Sequence, residues 1–182
     1  MLFRSFSYKN IITKILDSFQ NFLKKPYYLI ISSMAIIPFG FLIELLLIVV
    51  LISVNSPYIL PIVLFMVALV EEFLKSIGIY TIYSRKLFKM NAKRSILLGF
   101  FTGIGFFIGE KAMLLITITS FIKEFGLILF AGLLVPLIVH TALGMMFSFL
   151  MYKLGKRYYF IILIFVSLIH FVMNWVVIKG VL

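Results

Sequence analysis

Apolar residues fill this chain in five long blocks, at about 28–54, 57–83, 95–121, 125–152 and 158–178. Each block exceeds the roughly 20 residues a helix needs to cross the hydrocarbon core of a bilayer. Basic clusters and short polar stretches separate them, so the pattern predicts five transmembrane helices and an all-α membrane protein. The first block contains Pro38 and Gly40, which predicts a kink or break there. Ahead of it, Ile11, Ile12, Ile15, Leu16, Phe19, Phe22 and Leu23 recur at helical spacing, with Lys9, Lys14, Lys24 and Lys25 among or just after them. That pattern fits an amphipathic helix lying on the membrane surface, or else one packed on a soluble partner. The expected organisation is a cytoplasmic surface helix over 1–26, followed by one transmembrane helical domain over 27–182.

Composition agrees with the pattern. Hydrophobic residues make up 64% of the 182 and charged residues 13%, with a mean hydropathy of +1.21. A soluble domain of this size needs more polar surface than that. The net charge of +11 does not indicate nucleic acid, because the basic residues flank apolar blocks instead of forming a patch with stacking aromatics. Without cysteine, disulfides, thiol catalysis and cysteine metal sites are excluded. The N-terminal MLFRSFSYKN lacks a short apolar core before a small-residue cleavage site, so no cleaved signal is expected.

The basic residues also predict orientation. Arg4, Lys9, Lys14, Lys24 and Lys25 precede the first block; Arg85, Lys86, Lys89, Lys93 and Arg94 lie between the second and third; Lys153, Lys156 and Arg157 lie between the fourth and fifth. Only Lys123 and Lys179 fall on the other side. An excess of Lys and Arg marks the cytoplasmic face, so the protein is expected in the cytoplasmic membrane with its N-terminus cytoplasmic and its C-terminus outside.

Two lysines and four glutamates remain inside the blocks: Lys75, Lys111, Glu44, Glu71, Glu72 and Glu110. Each such charge near a helix centre costs roughly 2.5–3.5 kcal/mol on insertion scales. Together they cost on the order of 15 kcal/mol, as much as a whole domain's stability, so something must offset them. Counting along each block at about 1.5 Å per residue puts Glu71 and Glu72, Glu110, His140, and His170 with Asn174 at a similar depth on four helices. Antiparallel helices with polar groups at one level can build one shared site.

Local spacing adds detail. Lys75 lies four residues after Glu71 and three after Glu72, so it can neutralise either carboxylate. Glu110 and Lys111 are neighbours about 100° apart on a helix and are expected to need separate partners, with Glu44 a candidate mate for Lys111. The carboxylates outnumber the lysines, leaving at least two without one. Read blandly, Glu71, Glu72 and Lys75 form a buried ion-pair lock and His140 is an interior hydrogen-bonded histidine. Gly99, Gly103, Gly105 and Gly109 are expected to permit close helix approach.

The ordered set is VEEFLK on the second block, FFIGEK on the third, VHTALG on the fourth and HFVMN on the fifth. It resembles the PrsW family of intramembrane proteases, within the CAAX-protease and bacteriocin-processing superfamily. EExxK and FxxxE stand where the prenyl-protein endopeptidase branch carries EExxxR and FxxxH. The resemblance implies a glutamate-dependent endopeptidase acting on membrane-protein or membrane-peptide substrates. In that reading Glu71 activates water, helped by His140 or Glu110, and Glu72 braces the site with Lys75 and Phe106 in support. His170 and Asn174 hold the oxyanion. No cofactor is implied. If zinc is bound instead, Glu71, Glu110, His140 and His170 are its ligands, although no HExxH helix is present. The remaining alternative is a non-catalytic scaffold, an immunity protein or the substrate-binding subunit of a transporter.

Overall fold

The computed structural model describes residues 26–53, 58–87, 89–117 and 122–181. The expected surface helix lies outside the described residues. Five long helices follow in chain order: α1 (Pro26–Ser53), α2 (Ile59–Arg85), α3 (Ala92–Thr117), α4 (Ile122–Leu154) and α5 (Tyr159–Val181), with a 3-10 turn at Lys156–Tyr158 before the last. Among the described residues there is no strand. Among the described residues, four stretches are long and apolar enough to cross a membrane: Ile30–Leu47, Ala92–Met113, Leu134–Leu154 and Lys156–Gly180. The chain is thus an all-α protein suited to a membrane. α2 has comparable length but carries Glu71, Glu72 and Lys75 at its centre.

Of the kink or break expected in the first helix, the break does not occur: α1 runs unbroken through Pro38 and Gly40. Gly40 serves contact with a neighbour instead: a Cβ there would lie 2.7 Å from Leu74 Cδ1 on α2.

Glycines on two faces of α3 set the architecture. A Cβ at Gly99 would lie 2.1 Å from the Gly144 carbonyl oxygen, and one at Gly103 2.4 Å from that of His140. On the other face, a Cβ at Gly105 would meet Ile30 and one at Gly109 would meet Ile37 and Met34. Backbone contact of this kind needs residues without side chains, so the close helix approach expected of these glycines is made on both faces, with α3 clasped between α1 and α4. α2 packs mainly on α5 and α1.

Two apolar clusters flank the polar residues. The larger includes Ile79, Ile82, Leu143, Phe147, Met151 and Val166, and the smaller is Ile37, Leu74 and Phe106. Hydroxyls fasten the larger one. Tyr83 Oη lies 2.8 Å from Ser95 Oγ and donates to the Ser148 carbonyl at 3.0 Å. Ser95 Oγ lies 2.6 Å from the same carbonyl, and Ser76 Oγ lies 2.6 Å from Tyr159 Oη. These links join α2 to α3, α4 and α5. In an apolar surround they satisfy groups that would be costly to leave unpaired.

Candidate functional site

Of the residues expected to share one depth, Glu71, Glu72, Glu110, His140 and His170 meet, and Asn174 lines the cavity beside them. Glu72 and Lys75, one helical turn apart on α2, form a fully buried ion pair. Lys75 Nζ also lies 3.1 Å from His140 Nδ1 and 5.0 Å from the centre of the Phe106 ring. An ammonium has only donors, so His140 Nδ1 accepts and the ring proton sits on Nε2. That nitrogen donates to Glu110 Oε2 at 2.8 Å. His140 is therefore held as one tautomer between α2 and α3, with Phe106 (ring centres 5.4 Å apart) and His170 (5.4 Å, edge-on) packed against it.

His170 lies midway along α5, eleven residues from each end. Its Nδ1 is 2.8 Å from Glu72 Oε1, and its Nε2 is 3.6 Å from Glu71 Oε2. The Nδ1 contact is close but lacks hydrogen-bond alignment. Glu71 Oε2 is buried and has no hydrogen-bond partner among the described residues; the same holds for Ser167 Oγ, three residues before His170. Of the two carboxylates Lys75 could serve, it takes Glu72 and leaves Glu71 uncommitted.

One expectation is corrected. Glu110 and Lys111 do not take separate partners, because Lys111 Nζ reaches Glu110 Oε1 at 2.5 Å. A lysine side chain is long enough to fold back across the 100° between adjacent positions, so backbone direction does not decide the pairing. Glu44 instead lines a cavity of about 90 Å³ with Glu110, Phe106 and Gly40. Among the described residues, Glu44 and Glu71 are the two intramembrane carboxylates in no lysine ion pair, matching the count that at least two must lack one.

A larger cavity of about 470 Å³ opens beside the cluster, between α4 and α5. Glu71, Glu110, His140 and His170 of the cluster line it, together with Asn174. Its walls are apolar: Val135 and Val139 on α4 face Val172, Val176 and Val177 on α5. Sequence reasoning missed these walls and Ser167, since valines within an apolar block carry no mark of which way they face.

Glu71, His140 and His170 each offer a ligand atom, all within 4.8 Å of one another, so a metal ion could be held there. The set fits a metal poorly as it stands. One nitrogen of His140 faces the Lys75 ammonium and the other donates to Glu110, so neither presents a free lone pair.

Fold and cluster together define a class: an all-α protein with a buried Glu–His–Lys network at the head of a cleft between two apolar helices. Compared with protein-family models, curated proteins and solved structures, the chain matches none.

Proposed function

We propose that this protein is a glutamate-dependent intramembrane endopeptidase of the PrsW type, with all five helices crossing the membrane and the N-terminus in the cytoplasm. Glu71 Oε2 carries the reading. It is a buried carboxylate oxygen with no hydrogen-bond partner among the described residues, lining a cavity large enough for a short peptide. Its neighbours Glu72 and Glu110 are each already paired with a lysine, Lys75 and Lys111. Glu71 takes a proton from water as the water oxygen bonds to the carbonyl carbon of the scissile amide. His170 and Asn174 donate to the resulting oxyanion. The C–N bond then breaks, and the Glu71 proton passes to the leaving amine. Glu72, Lys75 and Glu110 act through the histidines by fixing ring position and tautomer.

The test is fragment analysis of membrane proteins, comparing wild type with Glu71→Gln in reconstituted vesicles. The isosteric change should abolish cleavage and leave melting within about 1 kcal/mol of wild type, because Glu71 gives up no lysine pair. Full activity in Glu71→Gln refutes the mechanism. A second reading, a zinc peptidase, rests on the closeness of Glu71, His140 and His170 and requires His140 to give up its contact with Lys75 or with Glu110. Stoichiometric zinc in the purified protein, with activity lost on its removal, would replace the metal-free mechanism.

A further inference from the structure

The loop between α2 and α3 and the turn between α4 and α5 lie at one end of the bundle. Tyr83, near the end of α2, bridges Ser95 at the start of α3 and the Ser148 carbonyl near the end of α4. Leu87 and Met90 of the loop and Tyr158 of the turn pack on the same apolar cluster, which includes Met151 and Tyr159. The two segments therefore meet at one surface. The loop carries five basic residues from Arg85 to Arg94, the turn carries Lys153, Lys156 and Arg157, and neither contains a carboxylate. All eight side chains are exposed, and none is in an ion pair among the described residues.

Orienting a chain in the membrane needs only an excess of cations on one side. This surface has more than that. Arg157 lies 4.9 Å from the centre of the Tyr158 ring, and Lys153 Nζ lies 5.7 Å from that of Phe149. Such stacking limits the freedom a cation must give up on binding, and it leaves the guanidinium donors free for a phosphate. Phe160 and Ile161, three and four residues after Arg157, are 70 and 65% exposed, and Leu154 beside Lys153 is exposed too. Cations and apolar surface thus stand within about one helical turn of each other. A soluble polyanion would use the cations and leave the apolar residues uncovered. A zwitterionic phospholipid would bring its own cation against the others. An anionic phospholipid answers both demands, with its phosphate on the turn and its acyl chains along Phe160 and Ile161.

We infer that the α4–α5 turn, with the basic α2–α3 loop beside it, is a binding site for an anionic phospholipid. In the proposed orientation the site faces the cytoplasmic leaflet, where anionic headgroups attract basic segments. It is independent of the proposed peptidase chemistry, since none of its residues belongs to the Glu–His–Lys network. The bound lipid ties the loop to the turn and so favours the folded bundle.

The experiment titrates the full chain, purified in nonionic detergent, with dihexanoyl phosphatidylglycerol. Melting is followed by fluorescence, and bound lipid is counted by native mass spectrometry. A ligand of the folded state raises Tm, so this lipid should raise it saturably, whereas dihexanoyl phosphatidylcholine and inorganic phosphate should not. Each cation near an anionic surface contributes a factor of about five. Combining Lys153→Gln, Lys156→Gln and Arg157→Gln should therefore raise the half-saturating concentration about 100-fold and leave the lipid-free Tm unchanged. Lys156→Gln alone should raise it about fivefold, and decides the matter should the triple variant fail to fold. Lys179→Gln, at the opposite end of α5, should leave it as in wild type. Wild-type half-saturation in the Lys156→Gln and triple variants overturns the inference, as does an equal shift from phosphatidylcholine. An equal shift from inorganic phosphate overturns it too, because the surface would then hold an anion without needing the lipid.

Discussion

Gly103→Ala should damage the site without touching it. The added Cβ would lie 2.4 Å from the His140 carbonyl oxygen and 2.7 Å from Thr141 Cα. Both are backbone atoms, so no rotamer change relieves the clash. Ordinary contact begins near 3.4 Å, so α3 and α4 must separate by about 1 Å. Overpacking of this kind costs about 1–3 kcal/mol, or roughly 3–10 °C in Tm for a chain of this size. The same displacement acts on the His140 Nε2–Glu110 Oε2 bond, because its partners ride on the two helices being parted. A 2.8 Å bond stretched toward about 3.8 Å is no longer a hydrogen bond, and the tautomer of His140 is released. A 1 Å misplacement at a reacting centre can cost about 100-fold. The expected outcome is therefore cleavage reduced by one to two orders of magnitude, with a modest fall in Tm. Gly180→Ala, where nothing lies within 4 Å of the new Cβ, should be neutral in both. Melting in detergent and cleavage in liposomes measure the two effects on one preparation. Unchanged Tm and activity in Gly103→Ala would mean that the helices do not touch at that glycine and that His140 is positioned by something else.

Two further outcomes test the polar network. Lys75→Met strands Glu72 as a buried charge beside His170 and should destabilise by about 3–5 kcal/mol, while adding Glu72→Gln should restore much of the loss; a double variant no more stable than the single one would refute this pairing. Tyr83→Phe removes the bridge to Ser95 and the Ser148 carbonyl and should cost about 1–2 kcal/mol. Its melting curve should shift while kcat per folded molecule stays constant, because the hydroxyl lies apart from the cleft.

Depth was legible in the sequence and direction was not, for a physical reason. Rise along a helix is fixed at about 1.5 Å per residue, and block ends are marked by charge, so counting alone put Glu71, Glu72, Glu110, His140 and His170 on one level. Rotation about each helix axis depends on where its neighbour touches. Here that is decided by Gly99 and Gly103 against α4 and by Gly105 and Gly109 against α1. The glycine spacing announced close contacts without saying which partner each face would meet. Pairing was less legible still. Lys75 could reach two carboxylates by spacing, and only the packing of His140 from α4 and His170 from α5 selects Glu72. Lys111 defeated a rule based on backbone direction because its chain spans the angle between neighbours. What survives this loss of detail is charge balance: four carboxylates and two lysines leave two carboxylates without a lysine wherever the side chains point. Glu44 and Glu71 are those two. Glu44 faces the small cavity, and Glu71 heads the cleft that opens to the apolar surface. The surplus charge that made these helices costly to insert is thus the same feature that, in the proposed mechanism, leaves Glu71 free to act on water.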